Sequence, residues 1–308
     1  MKILICAFGV VVACLHLSAQ GNLWQPSLGH AQMVIWPGGV PDGQPVPGPE
    51  YMTNVLSSDG ASWTTVFNVS QPTLTVYAPK TKNTRVAVVV FPGGGYNCLA
   101  IGLEGTEICD WLTSKGITAV LLKYRVPTPR REPFRASRMA LDDAQRTLGL
   151  VRFHAAEWQI DSHKIGVIGF SAGGHMVAAT STHFDKRLYP AVDAADKESC
   201  RPDFAIACYP GHLWDDGEDG QSFQLNPNIP VTSNTPPTFL LQAENDPVDS
   251  INNSLVYYIG LKNAGVPVEM HLYAEGKHGF GLRRTKLPIT EWPQLVEKWL
   301  GTIGMISE

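Results

Sequence analysis

The chain has 308 residues, with 24 Lys+Arg against 28 Asp+Glu and a formal net charge of -4. Hydrophobic residues make up 44%, enough for one large core, so wholesale disorder is excluded; 17% charge with 29 Gly and 23 Pro excludes a coiled coil or helical array. The mildly acidic balance, without a Lys/Arg block, argues against nucleic acid as a partner, and no repeat with a period of about 20–50 residues is present.

Lys2 is followed by an apolar run from Ile3 to Leu17, broken only by Gly9 and His16, and then by Ser18-Ala19-Gln20. A basic start, a short apolar core and small residues fit a secretory signal peptide over residues 1–19, too short for a membrane span of about 20 residues. Leu17 fits poorly at the third position before a cut after Ala19. Val11-Val12-Ala13-Cys14 offers a second reading, a lipoprotein box that would leave Cys14 acylated. The chain is expected to be secreted or periplasmic, with no membrane insertion of the mature domain. Cys98, Cys109, Cys200 and Cys208 remain after cleavage; they permit disulfides or buried unpaired thiols, and no Cys/His spacing typical of zinc accompanies them.

Residues 20–70 are rich in Gly, Pro, Ser and Trp, show little periodicity, and read as an irregular segment packed on a core formed by residues 71–308. Thr73–Tyr77 alternates as an edge or antiparallel strand should. Arg85–Phe91 is a continuous β-branched run, the mark of a strand buried on both faces. Glu104–Lys115 reads as a helix with Ile108, Trp111 and Leu112 inward and Gly116 as its stop. A strand (Ile117–Tyr124), a long helix within Phe134–Trp158, a third buried strand (Lys164–Phe170) and a helix opening at Ala172 follow. Strands at Asp203–Tyr209, Thr238–Gln242 and Val268–Tyr273, with helices at Ser254–Asn263 and Trp292–Ile303, complete the alternation. This rhythm predicts one α/β domain, a mostly parallel twisted sheet of about eight strands with helices on both faces. Residues 212–237, acidic and then Pro/Asn-rich, are too long for a plain connection and read as a small lid or substrate-binding insert.

Gly169-Phe170-Ser171-Ala172-Gly173 is a G-x-S-x-G that ends a buried strand and opens a helix, the position of a nucleophile elbow. Side chains two residues either side of Ser171 would clash where strand and helix converge, and the helix N-terminus offers unpaired N–H groups to an oxyanion. Pro92-Gly93-Gly94-Gly95-Tyr96 follows the first long apolar strand, where such sites draw their second donor. Gly94, Gly95 and Ala172 N–H groups are therefore read as the oxyanion hole. Pro92 stands where a His is usual, so that loop must be held by other means. A phosphate loop is excluded, because its Lys and Ser/Thr are missing.

A serine nucleophile needs a base and the base an orienting carboxylate, in the chain order Ser, acid, His. His278, in Lys277-His278-Gly279-Phe280-Gly281 after the last strand, is the base. Asp246 opens an Asp-Pro-Val turn after the strand Thr238–Gln242 and is the expected acid. Asp249 is the alternative, otherwise a cap for the helix that follows. Tyr96, His212 and Trp214, with Tyr209, are candidate substrate-binding residues on an aromatic rim suited to a sugar ring, and the same residues would serve as ordinary core. His175 is expected to pack beneath the sheet end. Neither metal nor cofactor is called for.

These motifs resemble the secreted bacterial α/β-hydrolase esterases of the acetyl xylan esterase and bifunctional feruloyl/acetyl esterase-like (xylanase B-type) group. The resemblance runs from about Trp36 to the C-terminus. It rests on PGGGY at Pro92–Tyr96, EG at Glu104-Gly105, LKYRVP at Leu122–Pro127, GFSAGGH at Gly169–His175, DPV at Asp246–Val248 and KHGFGL at Lys277–Leu282. It implies an α/β-hydrolase fold and a metal-independent serine esterase acting on acyl groups carried by a small ester or a polysaccharide such as acetylated xylan. Rival readings are a general short-chain carboxylesterase, a feruloyl esterase, a serine peptidase with the same triad, and an inactive carbohydrate-binding module.

Overall fold

The computed structural model describes residues 23–41, 48–56, 62–126, 133–217 and 220–307. The signal peptide reading for residues 1–19 lies outside them. In chain order the elements are β1 (Gln32–Val34), β2 (Tyr51–Leu56), β3 (Ser62–Phe67), β4 (Thr73–Tyr77), β5 (Ala87–Phe91), β6 (Cys98–Leu99), α1 (Glu107–Ser114), β7 (Thr118–Lys123), α2 (Pro133–Phe153), β8 (Ile165–Phe170) and α3 (Ala172–Thr182). The remainder are β9 (Ala205–Cys208), β10 (Trp214–Asp215), β11 (Gln224–Leu225), β12 (Thr238–Ala243), α4 (Asn252–Asn263), β13 (Val268–Tyr273) and α5 (Trp292–Thr302).

The main sheet has 8 strands in the order β1-β4-β7-β5-β8-β9-β12-β13. β1, β4 and β7 pair antiparallel, and every pair from β7 to β13 is parallel. β5, β7, β8, β9 and β12 are buried along their whole length, as unbroken β-branched and aliphatic runs require when both faces are covered. The chain steps from β5 outward to β7, then crosses back over β5 to β8. With right-handed crossovers, this reversal puts α1 and α2 on opposite faces. α5 joins α1, where Trp111 Nε1 donates to Glu297 and the Trp111 and Trp292 rings meet edge to face, while α3 packs beside α2. β5 and β8 lie on either side of that reversal, so the loops at their C-terminal ends open into one crevice.

The N-terminal part is more regular than its composition predicts. β1 pairs with β4 and becomes the sheet edge, so β4 is an interior strand rather than an edge. β2, β3 and β6 form a separate antiparallel sheet. Trp36 is buried and donates through Nε1 to Asp143, which also receives the Arg125 guanidinium and backbone N–H. Such a buried charge holds only because hydrogen bonds surround it. Cys109, Cys200 and Cys208 are free, buried thiols, which decides those three in favour of unpaired cysteine.

Candidate active site

Ser171 sits between β8 and α3 with φ 55 and ψ -120, a left-handed conformation that a non-glycine residue holds only when its surroundings over-determine it. Ser171 N donates to Cys208 O, and Ser171 O receives Gly211 N and His175 N. The flanking glycines are dictated by space: a Cβ on Gly169 would lie 2.1 Å from Gly173 O, and one on Gly173 would lie 2.0 Å from Phe91 O. Tyr96, Tyr209, His212 and Lys277 share positive φ and all stand around this serine, so backbone strain gathers at the end of the sheet.

His278 Nε2 lies 2.9 Å from Ser171 Oγ, and His278 Nδ1–H donates to Asp246 Oδ2 at 2.8 Å. Asp246 Oδ1 also accepts the backbone N–H groups of Val248 and Asp249. Burial would raise the Asp246 carboxyl, but the His278 bond and those two N–H groups outweigh it and hold it below the usual carboxylate range. Burial pulls His278 down; the hydrogen bond and charge of Asp246, with the charges of Asp249 and Glu104, reverse this and leave the imidazole above its ordinary value. The arrangement can pass a proton from Oγ to Nε2 and stabilise the imidazolium that results.

The glycine loop after β5 is held from below. Gly93 N donates to Glu104 Oε2 at 2.7 Å, Tyr209 OH donates to Glu104 Oε1 at 2.9 Å, and Tyr124 OH donates to Pro92 O. These contacts do the work left open by Pro92. Among the described residues, neither Gly94 nor Gly95 gives its N–H to a protein acceptor, while Gly94 O receives Asn97 N and Cys98 N. Gly94 has φ 134, and a Cβ there would lie 2.2 Å from Cys98 O. Ala172 opens α3, where a helix leaves its first N–H groups unpaired.

The helical pattern places Glu104 on the same stripe as Ile108, Trp111 and Leu112, four, seven and eight positions on, but does not say what a carboxyl would do there. Residues Gly102–Thr106 form a π-helical turn ahead of α1, and Glu104 is buried within it. Burial pushes Glu104 above the usual carboxyl range, partly countered by Tyr209, Gly93 and His278. The sequence signals are that spacing and the Glu104-Gly105 pair in the family resemblance.

A cavity of about 600 Å³ is lined among others by Tyr96, His175, His212, Trp214, Asn226 and Ile229; none of the triad residues lines it, and it connects to the serine through His175, whose backbone N–H donates to Ser171 O. His175 faces this cavity and does not pack beneath the sheet. Burial first, then the neighbouring His212 and His183, lower its pKa to about 3, so the ring is neutral; its Nδ1 lies 2.6 Å from Tyr96 OH, a hydrogen bond that fixes both rings. His212 meets Tyr96 and His175 ring to ring, and Trp214 is fixed by Nε1 donating to Ser222 O. Residues 212–237 thus supply one wall, stiffened by the short β10–β11 pair. Tyr209 is not on the rim: it is fully buried, its hydroxyl on Glu104 and its ring against His278. Asp249 does not cap α4; its Oδ2 lies 3.3 Å from Ser171 Oγ. Among the described residues no group of three or more His, Cys, Asp or Glu could hold a metal ion.

Residues 88–282 match the alpha/beta hydrolase fold family. The chain belongs to that family. An α/β hydrolase from Caldicellulosiruptor lactoaceticus, crystallised as an acetyl ester-xyloside bifunctional hydrolase, is 32% identical with a TM-score of 0.69, covering 94% of this chain and 100% of its own. The acetylxylan esterase of Xylanibacter ruminicola is 31% identical over 214 residues, 63% of this chain and 41% of that protein. The endo-1,4-beta-xylanase B of Butyrivibrio fibrisolvens is 29% identical over 222 residues, 68% of this chain and 34% of that protein. The aligned part therefore spans well under half the length of either curated relative. At 23% identity and a TM-score of 0.63, the propionate-bound esterase of Thermogutta terrifontis shares the fold. Of these proteins, that of Xylanibacter ruminicola is named for acetylxylan ester hydrolysis and that of Caldicellulosiruptor lactoaceticus for hydrolysis of an acetyl ester and a xyloside.

Proposed function

We propose that this α/β hydrolase is an exported serine esterase that removes short acyl groups, above all acetyl, from carbohydrate such as acetylated xylan. The observation that carries the catalytic part is the unbroken chain Asp246–His278–Ser171, with both bonds at hydrogen-bond length and the serine held in a strained turn. In this reading His278 Nε2 takes the Ser171 proton as Oγ attacks the ester carbonyl, and Asp246 keeps the other ring proton on Nδ1 throughout and stabilises the imidazolium. Gly94, Gly95 and Ala172 N–H groups stabilise the tetrahedral oxyanion. His278 returns the proton to the leaving alcohol, and water attacks the acyl-enzyme by the same route.

The substrate part is supported by the cavity, far larger than an acetyl group needs and lined by Trp214, Tyr96 and polar side chains that suit a sugar ring. The relatives named for acetylxylan and acetyl ester hydrolysis support it too. Export rests on residues 1–19. Among the described residues no helix is long and apolar enough to cross a membrane.

The test has two arms. A fluorophosphonate probe is expected to label the native protein and not Ser171→Ala; equal labelling of both would remove Ser171 as nucleophile. Acetate release from acetylated xylan is then compared with hydrolysis of aryl esters of rising chain length. Preference for octanoate or longer, with no acetate from any glycan, would leave a general carboxylesterase, and release of ferulate alone would move the substrate to feruloyl esters.

A further inference from the structure

The mechanism above uses one aspartate of the loop after β12 and leaves the other unexplained. Asp246 and Asp249 are three positions apart and differ in almost every physical respect. The Asp246 side chain is 0% exposed and bonds the Nδ1 edge of His278. The Asp249 side chain is 16% exposed, and its Oδ2 lies 3.9 Å from His278 Nε2 as well as 3.3 Å from Ser171 Oγ. Its position is fixed by its own backbone: Asp249 N donates to Asp246 Oδ1 and Asp249 O accepts from Gln242 Nε2. Gly211 presses on its other side, where a Cβ would lie 2.5 Å from Asp249 Oδ1.

The sheet order says which part of a substrate would meet this carboxyl. Ser171 follows β8. The glycine loop follows β5 on one flank of β8, while Gly211 and Asp249 follow β9 and β12 on the other. A carbonyl oxygen held by Gly94 and Gly95 points toward the first flank. The alkoxy oxygen must come within reach of His278 Nε2, from which it takes its proton, and Nε2 is the imidazole atom beside Asp249.

A carboxyl group in that place handicaps the hydrolysis of a simple ester. Burial raises it above its ordinary range, and its charge competes with Nε2 for the serine proton. The handicap becomes an advantage only if the leaving group brings its own donor. Neighbouring hydroxyl oxygens on a pyranose are about one hydrogen-bond length apart, so a sugar oxygen at Nε2 puts the next hydroxyl within reach of Asp249.

On the reading that carbohydrate esters are the substrates, we infer that Asp249 determines specificity for the alcohol half, accepting a hydrogen bond from the sugar hydroxyl adjacent to the esterified oxygen. It acts in acylation alone, because the acetyl-enzyme no longer holds the sugar. Two acetate esters that differ only in their alcohol share one acetyl-enzyme, so a difference between them in kcat/KM arises in binding and acylation, where this contact is made.

The experiment compares three esters: a monoacetylated methyl xyloside with a free adjacent hydroxyl, the same ester with that hydroxyl replaced by hydrogen, and p-nitrophenyl acetate. With native enzyme the hydroxyl form is expected to exceed the deoxy form about 10- to 100-fold in kcat/KM, the worth of a hydrogen bond to a charged group. In Asp249→Ala this ratio should fall to near one, while p-nitrophenyl acetate, whose leaving group brings no donor, does not share the loss of the hydroxylated ester. Gly211→Ala, which displaces the carboxyl without removing it, should lower the ratio as well, and fluorophosphonate labelling shows whether each variant keeps a competent serine. An equal loss on all three esters, or an unchanged ratio in Asp249→Ala, would overturn the inference and leave the carbohydrate esterase reading standing. If the native enzyme released no acetate from any sugar ester, that reading would fall first and this inference with it.

Discussion

The loop after β5 and the insert after β9 both border the serine, and they are built on opposite plans. The loop offers backbone: Gly94 and Gly95 leave their N–H groups open, while buried Glu104, Tyr124 and Tyr209 hold it from the core side. The insert offers side chains: His212, Trp214, Asn226 and Ile229 face the cavity on a short ladder near the surface. A backbone donor survives substitution at its own position by anything but proline, so it suits a group that every ester shares. Side chains on an insert can change without disturbing the sheet, so they suit the part of the substrate that varies. Damage to the buried plan should therefore slow all esters alike, and damage to the insert should change which ester is preferred.

The deepest loss expected on the buried side is Asp246→Asn, about 10⁴-fold in turnover on aryl and sugar acetates alike, because the amide no longer selects the Nδ1–H tautomer. Steady-state kinetics on both esters checks it; a loss confined to one would break the comparison. Glu104→Gln comes next. Both Glu104 oxygens accept, and the amide turns a donor toward either Gly93 N–H or Tyr209 OH. The glycine loop should shift and kcat fall on the order of 10²-fold, with KM little changed on either substrate. A change in substrate preference instead would place Glu104 with the specificity side.

On the insert side, Trp214→Ala should raise KM for acetylated xylo-oligosaccharides about fivefold, the loss of roughly 1 kcal/mol of aromatic contact, and affect p-nitrophenyl acetate much less. An equal effect on both would mean that the ring only supports the fold. The smallest effect expected is in the pH profile. kcat/KM rises as His278 loses its proton, and Asp246, Asp249 and Glu104 hold that pKa above the ordinary value of about 6.5, so the acid limb lies above that pH. Removing a negative neighbour in Asp249→Asn should move the limb to lower pH. An unmoved limb would mean that Asp249 is uncharged in the free enzyme.

Much of this protein can be read from its residues in order. Unbroken runs such as Val86–Phe91 and Ile165–Phe170 can only be strands covered on both faces, and their alternation with amphipathic helices dictates a parallel sheet whose loops converge at one edge. The glycines around Ser171 mark the strand-to-helix turn because nothing larger fits between Gly169, Gly173 and Phe91. Local pattern could not reach contacts between residues far apart in sequence. Glu104 falls on the inward stripe of its helix, but nothing local says that its carboxylate meets Gly93 N–H and Tyr209 OH. Tyr209 reads as rim until its hydroxyl is seen on Glu104, and Asp249 reads as a helix cap until the path of the loop carries its carboxyl to Ser171. The periodicity of a chain encodes which face of each element is buried, and so the sequence by itself determined the layers and the loops that carry Ser171, Asp246 and His278. Where a polar side chain ends up depends on which partner, a hundred residues away, offers a hydrogen bond at the right distance, and only the tertiary structure decided that.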